Sequence, residues 1–572
     1  MIKWVISPKM NDQEQGLLGV PVSVLEILER RGIDEDHVED FLSPMPKITY
    51  DPFLMKDLKE AAQALIDAAE SGKRICVYGD YDADGITSTA LLTTVLRKLT
   101  DKVSCYVPSR FSDGYGLNKE AVKIIKDRGE EVLVTVDCGS TSPEEVRFAK
   151  ELGLEVIVTD HHMLREGMDP DCIFVNPKRD ENYPFRDLCG CGVAFKIAQG
   201  IHRLLSQKGD KRFVRSDLNA LLDLVAIATV ADIVPLTDEN RNLVKYGLDR
   251  INRRDRAGLN ALLNALDLSE KIIDSSSISY IIAPNLNALG RMYSALPGVE
   301  LLESRSGSKR LEELATLTIK TNIERKAEQE KTARVCREKL AKEDCGSYAP
   351  VILAEGAHEG VAGIVAGNLK EQLYRPVCIV TPVEDGVLKG TGRSVAGINL
   401  HECFEECGEI FLRFGGHAGA CGFSLREENF QLFRSRMQQV VKKRVDADPD
   451  LFVEKLYIEK ELDADEKNLG FAESLKLLEP YGEGNPVPVF CVLSASVSGV
   501  RTMGAEEQHI RFTALTDDGI PLQCVLFGRA DKYKDIIFGA QRIDVAGELD
   551  INEFRGERKL QMRVRDIRAS ER

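Results

Sequence analysis

Lys73-Arg-Ile-Cys-Val-Tyr-Gly-Asp-Tyr-Asp-Ala-Asp-Gly85 is the stretch that decides the fold. Lys73 to Tyr78 reads as a short apolar strand and Ile86 to Leu99 as a helix. The run between them, Gly79-Asp80-Tyr81-Asp82-Ala83-Asp84-Gly85, therefore sits where a strand hands over to a helix. Working outward, the pattern recurs. Val103-Ser-Cys-Tyr-Val107, Glu131-Val-Leu-Val-Thr-Val136 and Glu155-Val-Ile-Val158 read as strands, with a helix over 143–152. Short, nearly all-apolar strands separated by helices predict an α/β fold with a parallel sheet covered on both faces. In such sheets the ligand lies beyond the C-terminal ends of the strands.

Carboxylates and imidazoles stand at those ends. Beside Asp80, Asp82 and Asp84 come Asp137-Cys138-Gly139, Thr159-Asp160-His161-His162 and, after the long apolar run from Val225, Asp232-Ile-Val-Pro-Leu236. The four clusters are expected to meet on one sheet edge. Like charges so close repel unless cations neutralise them, and Asp oxygen with His nitrogen suits Mn²⁺ or Mg²⁺ better than thiophilic metals. Two such ions, roughly 3.5–4 Å apart, can clamp a phosphoryl group and activate water, which is the chemistry of phosphoester hydrolysis.

Simpler readings explain less. Asp80-x-Asp82-x-Asp84-Gly85 begins like a calcium-binding EF-hand loop, but Leu91 stands where that loop needs its bidentate Glu, and a strand precedes it instead of a helix. Asp84 or Asp137 taken alone reads as a helix N-cap; the clusters as a set do not. His161 and His162 are adjacent at a strand end, so their side chains diverge. One ligand and one phosphate contact is the natural division.

At 572 residues the chain exceeds a single core, so several domains are expected. An apolar fraction of 43% and a charged fraction of 29% are those of globular protein. No run is long enough to cross a bilayer and the N-terminus lacks a sustained apolar leader, which points to the cytoplasm and excludes a membrane role. Fourteen scattered cysteines suit reduced thiols, and Cys189-Gly-Cys191 and Cys403-x3-Cys407 lack the second pair a zinc site needs. The net charge of −16 counts against nucleic-acid binding only if read globally, because ligand carboxylates raise it while their ions reverse the local field. Composition leaves the substrate open.

The region from Leu301 to Lys342 is charge-rich with helical spacing and reads as a solvated connecting helix. Residues 349–445 begin with an apolar strand, Val351 to Glu355, and carry glycine-rich turns. These are Gly356-Ala-His358-Glu-Gly360, Lys389-Gly-Thr-Gly-Arg393-Ser394 and Phe414-Gly415-Gly416-His417. Such turns let backbone N–H groups approach a phosphate, and equally serve as tight turns. Over 452–572, short alternating runs such as Val489 to Leu493, Arg511 to Leu515 and Leu522 to Phe527 predict a small β-barrel. Its last run, Arg555 to Arg568, alternates basic with apolar residues, placing several cations on one face.

Asp-x-Asp-x-Asp-Gly, Asp-Cys-Gly, Asp-His-His and Ala-Asp-Ile-Val-Pro-Leu resemble the four motifs of the DHH phosphoesterase superfamily. Val77 to Gly85, Gly192-Val-Ala-Phe-Lys196 and Asn285-Leu-Asn-Ala-Leu-Gly-Arg291 resemble its branch of single-stranded-DNA exonucleases, over nearly the whole chain. The resemblance implies a DHH catalytic domain with an N-terminal extension at 1–300 and a connecting helix at 301–345. A smaller α/β DHH-associated domain at 346–450 and a C-terminal OB-fold barrel at 451–572 follow. It implies Asp80, Asp82, Asp84, Asp137, His161 and Asp232 as ligands of two Mn²⁺ or Mg²⁺ ions, His162 as the phosphate-facing histidine and Asp160 as the partner that orients His161. Asp82, Asp84, Asp137, His161, His162 and Asp232 would form the catalytic set.

Arg110 and Arg291 are candidates for a terminal 5′ phosphate, since guanidinium binds phosphate bidentately. His358, Arg393, Ser394, Gly415, Gly416 and His417 are the substrate-binding candidates of the second lobe. A cleft between catalytic lobe, second lobe and barrel would admit one strand but not a duplex. The resemblance alone supplies 5′-to-3′ polarity, the preference for DNA and a role in repair and recombination. A single-strand-binding protein and a helicase are candidate partners. A DHH enzyme acting on oligoribonucleotides or cyclic dinucleotides, a pyrophosphatase and a non-catalytic replication scaffold are the competing readings.

Overall fold

The computed structural model describes residues 2–8, 20–43, 49–109, 116–304 and 307–571. Five parallel strands stand in the order Val103–Tyr106, Ile75–Tyr78, Val132–Thr135, Glu155–Thr159, Ile173–Val175. The strands Ile75–Tyr78 and Val132–Thr135 are buried throughout, because helices cover both faces. Leu65, Leu92, Ile197 and Ile227 pack on one side, and Val122, Ile125, Val146 and Ala149 on the other. The chain leaves Ile75–Tyr78 toward Val103–Tyr106 on one flank and later returns to Val132–Thr135 on the other. That switch of direction opens a crevice at the strand's C-terminal end, where the Asp80–Asp84 loop lies. The helix after the loop runs Ala83–Leu96, beginning three residues before the expected Ile86, because Asp82 caps it by accepting the Gly85 N–H at 3.0 Å. The fifth strand escaped the sequence reading: three residues carry no periodicity.

Asp232 does not stand at a strand end. The apolar run before it is the helix Leu222–Ala231, buried on all sides, and Asp232 is its C-cap. Three of the four clusters therefore come from the sheet and the fourth from a helix packed against it, since a short apolar run fits either element. This helix is anchored near its start by Asp223 and Arg256, both buried, with Arg256 Nε 2.6 Å and Nη2 2.9 Å from the carboxylate oxygens. Arg256 also donates to the carbonyls of Leu302, at 2.7 Å, and Ala220, at 3.0 Å. Removing one partner strands the other's charge in the core. Arg256→Ala is expected to destabilise the protein by about 3–5 kcal/mol in urea unfolding.

A helix Leu296–Glu303 precedes the long connecting helix, Lys309–Lys342. The second lobe is a mixed sheet, ordered Phe411–His417, Ala420–Arg426, Val387–Arg393, Val377–Pro382, Val351–Leu353, with only the last pair parallel. Phe411 and Phe423 of this sheet pack ring against ring with Phe404 and Phe433, mostly edge to face.

The chain divides into two compact units, residues 1–46 with 452–481 and 485–572, and residues 47–451 with 482–484. The N-terminal segment thus belongs with the barrel and not with the catalytic domain at 1–300. Lys3–Ile6 pairs in parallel with Lys455–Ile458, and Val24, Ile27 and Leu28 enter the barrel core. In the barrel, Val489–Met503 pairs with both His509–Leu515 and Ile543–Phe554, closing the sheet. The expected basic face at the C-terminus is largely neutralised. Arg558 pairs with Glu473 at 2.7 Å, Arg565 Nε reaches Glu548 at 2.8 Å and Arg568 reaches Asp544 at 2.9 Å. A different row stays cationic. Cross-strand register places Arg501 beside Arg511, Arg511 beside Val525 and Val525 beside Arg563, all three arginines exposed and, among the described residues, without an ion pair.

Candidate metal centre

The Asp80–Asp84 loop is held from three directions. The Asp80 carboxylate accepts the Tyr81 N–H at 2.8 Å, and Asp82 caps the helix it begins. Asp84, buried, accepts the Gly190 N–H at 2.6 Å and the Cys191 N–H at 2.7 Å, so the N-terminus of the helix Gly190–Gln207 points at it. Beneath the loop, Asn287 Oδ1 accepts the Ala83 N–H at 2.8 Å, and Gly290 lies so close that a Cβ there would sit 2.1 Å from the Tyr81 carbonyl. The motif Asn285 to Arg291 is the buttress of this loop.

Asp137, in the left-handed conformation at φ 61°, turns its carboxylate toward His161, with Oδ1 3.2 Å from Nε2. Asp232 and Asp84 stand 3.6 Å and 3.8 Å from the same nitrogen. Asp84, His161 and Asp232 each offer a ligand atom within 4.8 Å of one another, and so do Asp80, Asp82 and Asp137. Burial, reinforced by the Asp82 charge, pushes the Asp84 carboxyl up to about 6; burial with Asp84 and Asp82 pushes Asp232 to about 8. Asp137 is raised well above the carboxylate range for the same two reasons. Burial and the neighbouring His162 charge press His161 down to about 3. Asp137 Oδ1 and both ring nitrogens of His161 are buried and make no hydrogen bond among the described residues. Orphaned acceptors among mutually repelling carboxylates fit hard divalent cations.

Asp160 serves a different histidine from the one expected. Its carboxylate takes the His162 Nδ1 at 2.7 Å, and of His161 it holds only the backbone N–H, also at 2.7 Å. The Ser140 N–H, at 2.8 Å, fixes its other oxygen. Against the opposing effect of burial, Asp160 raises His162 to about 9, and His162 in turn holds Asp160 far below the carboxylate range. Asn176 grips the His162 carbonyl at 3.0 Å and Lys178 the His161 carbonyl, fixing the backbone of both.

Of the substrate candidates, Arg110 lies outside the described residues. Arg291 Nη1 donates to the Gly360 carbonyl at 3.2 Å, joining the catalytic lobe to the second. His358 Nδ1 caps the helix Glu359–Leu373 through the Gly360 N–H at 3.1 Å. Arg393 donates to Thr391 and to the Gly392 carbonyl, and Ser394, buried, to the Ile398 carbonyl at 2.7 Å. Gly415, Gly416 and His417 form one edge strand of the second lobe. Burial and the His162 and Arg165 charges push His417 down.

Sequence reasoning missed Gly190, Asn287, Gly290, Asn176 and Lys178. Each acts through backbone contacts between distant segments, which leave no local signal. The glycine motif around Gly190 and the Asn285–Arg291 motif were visible, but their purpose was not.

A parallel sheet with these strand-end motifs, joined to a helix-borne aspartate and tied to a second lobe through Arg291 and Gly360, defines a DHH-type phosphoesterase. Family models agree: the DHH family N-terminal domain matches residues 74–229, the DHHA1 domain 346–443 and the RecJ OB domain 458–566. The single-stranded-DNA-specific exonuclease RecJ of Bacillus subtilis is 36% identical over 582 residues, spanning 100% of this chain and 71% of the relative. That of Escherichia coli is 34% identical, over 90% of each. The crystal structure of RecJ in complex with Mn²⁺ from Thermus thermophilus superposes at a TM-score of 0.82 with 29% identity, covering 100% of this chain and 80% of that one. The chain belongs to the RecJ family of single-stranded-DNA-specific exonucleases.

Proposed function

We propose that this enzyme removes mononucleotides from the 5′ end of single-stranded DNA by two-metal phosphodiester hydrolysis. The observation that carries the reading is the buried cluster in which Asp137 Oδ1 and both nitrogens of His161 lack partners amid Asp84 and Asp232. Two Mn²⁺ or Mg²⁺ ions bound there supply charge neutralisation and an activated water. Asp84, His161 and Asp232 form one ligand set, and Asp80 and Asp82 the other. Asp137, grouped by distance with Asp80 and Asp82 and 3.2 Å from His161 Nε2, would be the carboxylate shared between the two sets. His162, turned and charged by Asp160, offers an N–H to a phosphate oxygen as negative charge builds there. Arg291, Arg393 and His417, with the Gly415–Gly416 segment, are the basic and backbone groups for the DNA chain, Arg110 being the candidate for its terminal phosphate from the sequence; His358 and Ser394 shape the turns. A single-strand-binding protein and a helicase supply such a substrate, and the cytoplasm is where it arises.

The test is hydrolysis of 5′-labelled and 3′-labelled single strands of DNA and RNA with Mn²⁺. Mononucleotide release from the 5′ DNA end, abolished by chelation, is the expected result. Cleavage of RNA oligomers or cyclic dinucleotides alone would leave the superfamily chemistry and remove the DNA assignment.

The barrel's outer face supplies a second prediction. Like charges directly opposed across strands destabilise a sheet, yet Arg501, Arg511 and Arg563 share one row, with the exposed Phe527 ring 5.4 Å from His509 close by. Arginines that track a backbone, beside a ring that stacks bases, are a single-strand platform. Replacing the three arginines with alanine is expected to weaken single-stranded DNA binding and to reduce the slope of log affinity against log salt by about 2.

A further inference from the structure

Ile233 follows the ligand candidate Asp232 and has φ 58°. It stands one residue past the C-cap of the helix Leu222–Ala231, where chains turn left-handed and glycine is the usual occupant. A β-branched side chain fits that conformation worst, because its Cβ crowds the backbone. The same side chain is 68% exposed, so burial does not compensate for the strain. Neither flank lets it relax. Asp232 is committed to the cluster, with Oδ2 3.6 Å from His161 Nε2. Downstream, the buried Leu236 donates its N–H to the Glu483 carbonyl at 2.7 Å. Glycine would satisfy this backbone at lower cost, so the isoleucine side chain answers to something outside the folded chain. Strain kept at a site of chemistry points to a ligand contact.

We propose that Ile233 is a substrate-positioning residue whose aliphatic side chain packs on the sugar and base of the nucleotide whose phosphate lies at Asp84, His161 and Asp232. The assignment rests on the diesterase reading above. A nucleotide held by its phosphate has only sugar and base left to fix its orientation, and both present apolar surface. Covering Ile233 with them removes an exposed aliphatic group from water at the moment of binding.

Ile233→Gly and Ile233→Asn both accept the left-handed backbone and are expected to unfold at no lower temperature than the wild type. KM for a single-stranded oligonucleotide should rise about tenfold, the effect of losing a buried aliphatic contact, with a smaller change in kcat. The loss of kcat/KM should exceed that on bis(p-nitrophenyl) phosphate by about tenfold, since the small diester lacks sugar and base. Mn²⁺ affinity by calorimetry should stay within about twofold, and Ile233→Val should keep most of the activity. Equal losses on both substrates, or weakened Mn²⁺ binding, would show that Ile233 acts through Asp232 and overturn the proposal. So would an unchanged KM. A wild-type protein that cleaves no DNA with Mn²⁺ overturns the diesterase reading itself.

Discussion

Asp137→Asn is expected to lower hydrolysis of single-stranded DNA by more than about 100-fold, the upper end of the loss from disturbing a residue that merely supports a ligand. In chelator, the same variant is expected to be more stable than the wild type. Asp137 is buried, raised far above the carboxylate range by burial and by Asp84, and its Oδ1 makes no hydrogen bond among the described residues. Without cations, ionising this carboxyl in the folded protein is costly, so the folded state holds its proton where the unfolded chain would release it. A group whose folded pKa is raised binds its proton more readily folded than unfolded, so its contribution is present at low pH and fades as pH rises past the ordinary carboxylate value. Asparagine removes that dependence. The thermal midpoint in chelator at pH 8 should rise by roughly 2 °C, in proportion to a gain of about 1 kcal/mol. Added Mn²⁺ should reverse the order, because binding energy stabilises whichever protein keeps its ligands. Wild-type and variant midpoints that do not cross between chelator and Mn²⁺ would remove Asp137 from the cluster's charge balance.

The parts of this site that were legible in the sequence are those written into single short segments. Asp80, Asp82 and Asp84 share one strand-to-helix turn, and His161 and His162 one strand end, so backbone geometry alone brings each set together. Asp232 was placed in the right company without its element being assigned: its helix is buried on every side and carries no periodicity to separate it from a strand. The partnership of Asp160 with His162 hangs on side-chain direction two residues on, which residue spacing does not encode. The basic C-terminal strand misled for a related reason, since alternation shows which face the arginines occupy and not that Glu473, Glu548 and Asp544 wait there to pair with them. The arginines without an ion pair among the described residues, Arg501, Arg511 and Arg563, come from three strands and are brought together by register. The N-terminal segment's attachment to the barrel is of the same kind, resting on pairing between Lys3–Ile6 and Lys455–Ile458.

Gly190→Ala is expected to cost nearly as much activity as losing a ligand, although no ligand atom is removed. The glycine is the first residue of the helix Gly190–Gln207, and its N–H holds Asp84 at 2.6 Å. A Cβ at this position would lie 2.5 Å from the Asp137 Cβ and 2.6 Å from its Oδ1. Real Cβ atoms do not approach so closely, so either Asp137 must swing away or the helix must withdraw from Asp84. Both movements displace a carboxylate of the cluster, and a misplacement of about 1 Å at a reacting centre costs on the order of 100-fold. Stability should change little, because alanine is the better helix former by up to about 1 kcal/mol and offsets part of the crowding. Gly192→Ala is the matched control. It lies in the same helix, and its added Cβ would meet the Leu188 side chain at 3.3 Å and the Cys189 Sγ at 3.7 Å, far looser contacts that touch no carboxylate of the cluster. Steady-state hydrolysis of single-stranded DNA with Mn²⁺ should separate the pair, with Gly192→Ala close to wild type and Gly190→Ala lower by about 100-fold at an unchanged unfolding midpoint. If the two variants retained equal activity, the helix N-terminus would not be what sets the distance between Asp84 and Asp137.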